Sequence, residues 1–68
     1  MSDEDLLLSG EARRRLRHDL RTPLTIVAGF AEVLAADRPI TDKDRRDFAA
    51  RIQDAATEIR ELIDRVLE

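Results

Sequence analysis

The sequence predicts an all-α fold, an antiparallel two-helix hairpin that dimerises into a four-helix bundle. Three observations carry this. Charged residues make up 40 % and hydrophobic residues 43 % of the 68-residue chain, with only two glycines, two prolines and two phenylalanines. That is the composition of helical bundles and coiled coils. Two long segments repeat their apolar residues at helical spacing, and one short proline-containing break separates them. A chain this short rarely buries a self-sufficient core, and it has no cysteine to staple one. A second copy is the remaining route to stability, so the partner in the bundle is read as an identical chain.

Residues 1–10 read as a lead-in or helix extension, and 11–68 as the domain proper. "LLL" at Leu6 to Leu8 is too short for a signal-peptide core and has acidic flanks. The first helix runs from about Ser9 to Ala36. Ser9 is a plausible N-cap with Glu11 in the first turn, and Ser2 before "DED" is a competing start. Leu16, Leu20, Leu24, Val27, Ala31 and Leu34 are spaced 4-4-3-4-3, and Phe30 joins this stripe. Such spacing lies close to the 3.5-residue period of a bundle seam.

The break, about 37–41, falls in "AADRPIT". Arg38 precedes Pro39, which disfavours helical geometry at Arg38. Thr41 then reads as the N-cap of a second helix from about Asp42 to Leu67, with Asp42 and Asp44 in its first turn. Phe48, Ile52, Ala55, Ile59, Leu62 and Val66 are spaced 4-3-4-3-4, an a/d pattern over nearly three heptads. Ala49, Ala56 and Ile63 form a second stripe one residue further on. A doubled stripe suits a four-helix core better than a two-stranded coil.

Charge and composition exclude several function classes. The net charge of −3 argues against a general nucleic-acid binder. Arg13, Arg14, Arg15, Arg17 and Arg21 crowd into a short span. A basic amphipathic helix can bind nucleic acid or anionic membranes, but this run lacks aromatics and lysine, and the plainer reading is a solvated helix face. No apolar stretch approaches the ~20 residues needed to span a bilayer. The chain is therefore expected to be cytoplasmic, free or as the cytoplasmic part of a membrane receptor, with no nucleic-acid partner and no direct membrane contact. One histidine and no cysteine give no transition-metal site.

That histidine, His18, is the candidate reactive group. At 100° per residue, with His18 at zero, Leu16, Val27, Leu20 and Ala31 fall between about 160° and 220°. The apolar stripe lies opposite, so His18 points to solvent, flanked by Arg21, Thr22 and Thr25. Asp19 follows directly, and its carboxylate can reach the imidazole edge, where it would fix the tautomer and raise the basicity of the ring. Alone, Asp19 would read as a solvated charge. Pro23 removes a helical hydrogen bond and clashes with the carbonyl of Asp19, at a cost of ~3 kcal/mol. Either it bends a continuous helix beside His18, or it marks a helix start with Thr22 as N-cap. The unbroken apolar period favours the bent helix.

"HDLRTPLT", early in a long amphipathic helix that a second helix follows, resembles the phosphoacceptor box of sensor histidine kinases. The family's usual form is His, an acid, an apolar residue, Arg or Lys, then Thr, Asn or Ser, then Pro-Leu. His18, Asp19, Leu20, Arg21, Thr22, Pro23 and Leu24 fit all seven positions. The resemblance spans about Glu11 to the end and corresponds to the dimerisation and histidine-phosphotransfer domain of two-component systems. It implies that His18 accepts the γ-phosphoryl group of ATP and passes it to an aspartate on the receiver domain of a response regulator. It makes Asp19 the acid–base partner, Thr22 the residue that orients water in dephosphorylation, and Arg21 a phosphate contact. It makes Pro23 the point where the helix bends between signalling states. A neutral imidazole is a suitable nucleophile for such a transfer, which needs positioning more than covalent help. ATP and Mg2+ are expected on a separate catalytic domain. The sequence has no glycine-rich ATP lid, so this chain is not expected to autophosphorylate alone, and no cofactor is expected within it. Two alternatives stay open: a stand-alone phosphotransfer protein of a phosphorelay, and a purely structural dimerisation hairpin in which His18 is incidental.

Overall fold

In the computed structural model, residues 9–67 are described, and they form two helices, α1 at Gly10–Ala35 and α2 at Asp42–Leu67. The readings of residues 1–8, including the lead-in, the alternative start at Ser2 and "LLL", lie outside the described residues. Each helix has 26 residues, about 39 Å at 1.5 Å per residue. The helices pack antiparallel as a slender rod of 49 × 19 × 16 Å.

The ends of both helices follow from local chemistry. Ser9 is extended, with φ −65° and ψ 162°, and its Oγ accepts the Ala12 N–H at 3.0 Å. Its carbonyl accepts from Arg13 N–H at 3.0 Å. This satisfies donors that a helix start otherwise leaves open, worth ~1 kcal/mol. At the far end Ala36 is extended while its N–H still donates to the Glu32 carbonyl. The chain then bends over 36–38, and Pro39 prevents the helix from resuming. Thr41 restarts it. Its Oγ1 accepts the Asp44 N–H at 3.0 Å and its carbonyl accepts from Arg45. Asp42 and Asp44 lie in the first turn of α2 and Arg65 in its last, each favourable to the helix dipole.

On α2 the seam is the one the spacing predicts. Phe48, Ile52, Ala55, Ile59, Leu62 and Val66 are all turned toward α1, and Ala55 is only 4 % exposed. The second stripe, Ala49, Ala56 and Ile63, is left exposed.

On α1 the seam differs from expectation. Leu16, Leu20, Val27, Phe30 and Leu34 are half-buried, but Leu24 is 52 % exposed and Ala31 is also exposed. The expected stripe had merged two neighbouring faces. The packed face instead runs through Ala12, Leu16, Pro23, Ile26, Val27, Phe30 and Leu34. Its centre, near Pro23 and Phe30, is turned roughly 60° from the expected stripe centre at 100° per residue. Leu24 and Ala31 belong to an outer face that one hairpin does not cover. Pro23 is the most deeply buried side chain, under 2 % exposed, and α1 continues through it. Its ring fills the seam position between Leu20 and Val27, a packing role that the expected apolar stripe left out.

Near the loop, Phe30 of α1 meets Phe48 of α2. The ring centroids are 5.1 Å apart and tilted by 31°. Such a pair contributes ~1 kcal/mol beyond its area burial, and it pins the two helices where the connection is shortest.

Candidate functional site

His18 lies in the third turn of α1, and its side chain is 83 % exposed. The seam lies on the opposite side of the helix, so packing α1 against α2 leaves the imidazole in water. Asp19, one residue on, lies nearer the seam and is 43 % exposed. His18 Nδ1 and Asp19 Oδ1 are 3.3 Å apart, a long but usable hydrogen-bond distance. Adjacent residues do not share a helix face, so this contact wraps around the edge of the helix.

The geometry assigns different work to the two ring nitrogens. With Nδ1–H donating to the Asp19 carboxylate, the imidazole holds the tautomer whose Nε2 lone pair is free. Nε2 is the nitrogen farther from the backbone and the one presented to solvent. A group arranged in this way can attack an electrophile at Nε2 and release a proton at Nδ1.

Arg21 and Thr22 follow one turn later and are both exposed. Residues three and four apart are neighbours on a helix surface, so both lie beside His18. Thr25 is the third polar neighbour, but its hydroxyl donates to the Arg21 carbonyl at 2.8 Å. That bond ties Thr25 to the backbone, whereas the Thr22 hydroxyl bonds no described residue. Pro23, four residues after Asp19, supplies no N–H to the Asp19 carbonyl. The turn carrying the site is therefore one hydrogen bond short on its packed side.

Arg15, one of the arginines of the solvated run, has a more specific place than that run suggests. It lies one turn from both Glu11 and Asp19, and its guanidinium is 3.5 Å from the Glu11 carboxylate. It also borders an open groove of about 600 Å³ between Ala12, Leu16 and Asp19 of α1 and Leu62, Arg65 and Val66 of α2. Asp19 thus faces His18 on one side and this groove on the other. The four-residue spacing of Glu11, Arg15 and Asp19 was the available signal. A second groove, apolar along its floor and edged by Arg13 and Arg17, lies between Leu16, Leu20 and Leu24 of α1 and Ile63 and Leu67 of α2. Among the described residues no cluster of His, Asp or Glu is placed to share a metal ion, and no helix is long and apolar enough to cross a membrane.

Comparison with known proteins agrees with this picture. The chain matches the His Kinase A (phospho-acceptor) domain over residues 10–68. It is 29 % identical over 48 residues to the sensor histidine kinase YcbM of Bacillus subtilis (strain 168), a match covering 71 % of this chain and 15 % of that protein. The chain thus corresponds to a small part of that curated relative. No solved structure matches. A two-helix hairpin with one solvent-facing histidine, together with a family match across 10–68, places this chain in the His Kinase A (phospho-acceptor) domain family of sensor histidine kinases.

Proposed function

We propose that His18 is the phosphoacceptor, taking the γ-phosphoryl group of ATP from a separate Mg2+-dependent catalytic domain and passing it to a receiver-domain aspartate of a response regulator. The observation that carries this is the pairing of Nδ1 with Asp19 on a ring that is 83 % exposed. The Nε2 lone pair forms a bond to phosphorus as the bond to the bridging oxygen of ATP breaks, and ADP leaves with that electron pair. The ring becomes an imidazolium, and its Nδ1 proton passes to Asp19, leaving a neutral phosphoimidazole. Return of the proton makes the ring a good leaving group when the receiver carboxylate attacks. Catalysis here is mostly positioning and charge, as phosphoryl transfer requires.

Arg21 is suited to meeting the incoming phosphates, and Thr22 to orienting a water for dephosphorylation. A second copy of the chain is the proposed cover for the apolar groove beside Leu24, which converts two hairpins into a four-helix bundle. The site then occurs twice on the outside of one rod.

The test is labelling with ATP and a sensor-kinase ATP-binding domain. One acid-labile phosphoryl group per subunit is expected, and none on His18→Ala. In the same assay Asp19→Asn should label on the order of a hundredfold more slowly, the size of an acid–base contribution, with helicity unchanged. Equal labelling of His18→Ala and the parent chain overturns the assignment.

A further inference from the structure

We propose that Arg14 is a further phosphoryl-binding residue, holding the group carried by His18 from the side opposite Arg21; this rests on His18 being the phosphoacceptor. With His18 at zero and 100° per residue, Arg14 falls at about 320°, Arg21 at about 300° and Thr22 at about 40°. Arg14 is one turn before the histidine and Arg21 one turn after it, on the same wet face, and both are exposed.

Residues four apart are neighbours on a helix surface, so Arg14 lies one turn from His18 on the same wet face. Arg14 and Arg15 are not equivalent. Arg15 is drawn to Glu11 at 3.5 Å and lines the groove on the Asp19 side. Arg14 pairs with no acid among the described residues and sits nearer the histidine's own meridian. A phosphoryl group on Nε2 brings about two negative charges to a place that has none in the free ring. The planar guanidinium fork, with its parallel N–H donors, matches the oxygens of such a group. Arg14 and Arg21 would then hold it between them, and the Asp19 carboxylate, turned to Nδ1, stays clear of it. The arginine run that composition alone reads as a solvated face is in this view divided by task, one arginine toward Glu11 and two toward the phosphoryl position.

The experiment uses the whole 68-residue chain and potassium phosphoramidate, a small donor that needs no catalytic domain. Nε2 forms the new P–N bond as the donor's P–N bond breaks, ammonia leaves, and the Nδ1 proton is lost to Asp19 or solvent. The rate of labelling at His18 is followed by mass spectrometry, and the titration of the attached phosphoryl group by phosphorus NMR. Arg14→Gln should slow labelling about two- to fivefold, as expected for an exposed charge contact, and should raise the phosphoryl pKa, since a nearby cation favours the dianion. Arg14→Lys should recover part of both effects. Arg38→Gln, which removes the same charge in the loop, should change neither. If Arg14→Gln behaves as Arg38→Gln does in both measurements while the parent labels at His18, Arg14 has no such role and the phosphoacceptor assignment stands. If the parent takes no phosphoryl group on His18, that assignment and this inference fall together.

Discussion

At the loop end of the hairpin, Phe30 and Phe48 pack ring to ring, and Thr41 caps the returning helix within a few residues. From the middle of the rod to the open end, Leu24, Ile63 and Leu67 stand 52 %, 37 % and 56 % exposed around an apolar groove. The first region closes its central aromatic contact within one chain, although Ala31 and Ala49 beside it stay exposed. The second leaves its groove open, and it is the region that carries His18. The difference teaches that stability and chemistry are separated along this rod. Its self-contained end fixes the register of the two helices. Its unfinished end holds His18 on one side of α1 and a surface suited to a second copy on another.

Three substitutions probe this contrast. The largest effect is expected from Leu24→Asp, which puts a charge into the proposed subunit contact twice per dimer. Sedimentation equilibrium should show association weakened on the order of a hundredfold. A parent chain that is a folded monomer at micromolar concentration would erase the distinction between the two ends. Next is Phe48→Ala, which removes the aromatic contact at the loop end and should lower stability by about 2 kcal/mol in urea denaturation. A loss too small to measure would mean that the loop end does not hold the register. The smallest is Pro23→Ala. It restores a helical N–H and relieves ~3 kcal/mol of helix penalty, but it gives up a buried ring worth ~2 kcal/mol. The balance should be a gain of about 1 kcal/mol, and a destabilised variant would show that the ring's packing outweighs the missing hydrogen bond.

Much of this was legible in the residues. The 4-3-4-3-4 spacing on α2 picked out all six seam positions, because that helix carries no proline and its seam residues keep one regular period. Ser9 and Thr41 could be named as caps because their hydroxyls have few other partners in those sequences. His18 could be placed in water because it lies far from the centre of the apolar stripe, so an error of tens of degrees leaves it exposed. The seam of α1 was not legible to the same accuracy. Its apolar residues cover a wide arc, and the choice between Leu24 and Pro23 depends on which part of the arc meets α2. Pro23 was read for its effect on the backbone, and its compact apolar ring was not counted among the packing residues. The spacing of Glu11 and Arg15 allowed their pairing, but Arg14, three residues from Glu11, was also within reach, so spacing alone did not choose between them.

The buried proline also bears on mechanics. Pro23 is clamped against α2 while the turn just before it lacks the rung that would link Asp19 to residue 23. A rod with one stiff support and one missing rung beside it yields at the rung. A twist or pull applied near Gly10 would therefore arrive at His18 as a local bend, swinging the imidazole relative to a fixed base. The proposed acceptor thus lies one turn from the missing rung, where a small movement of the incoming end would give the largest change in its aim.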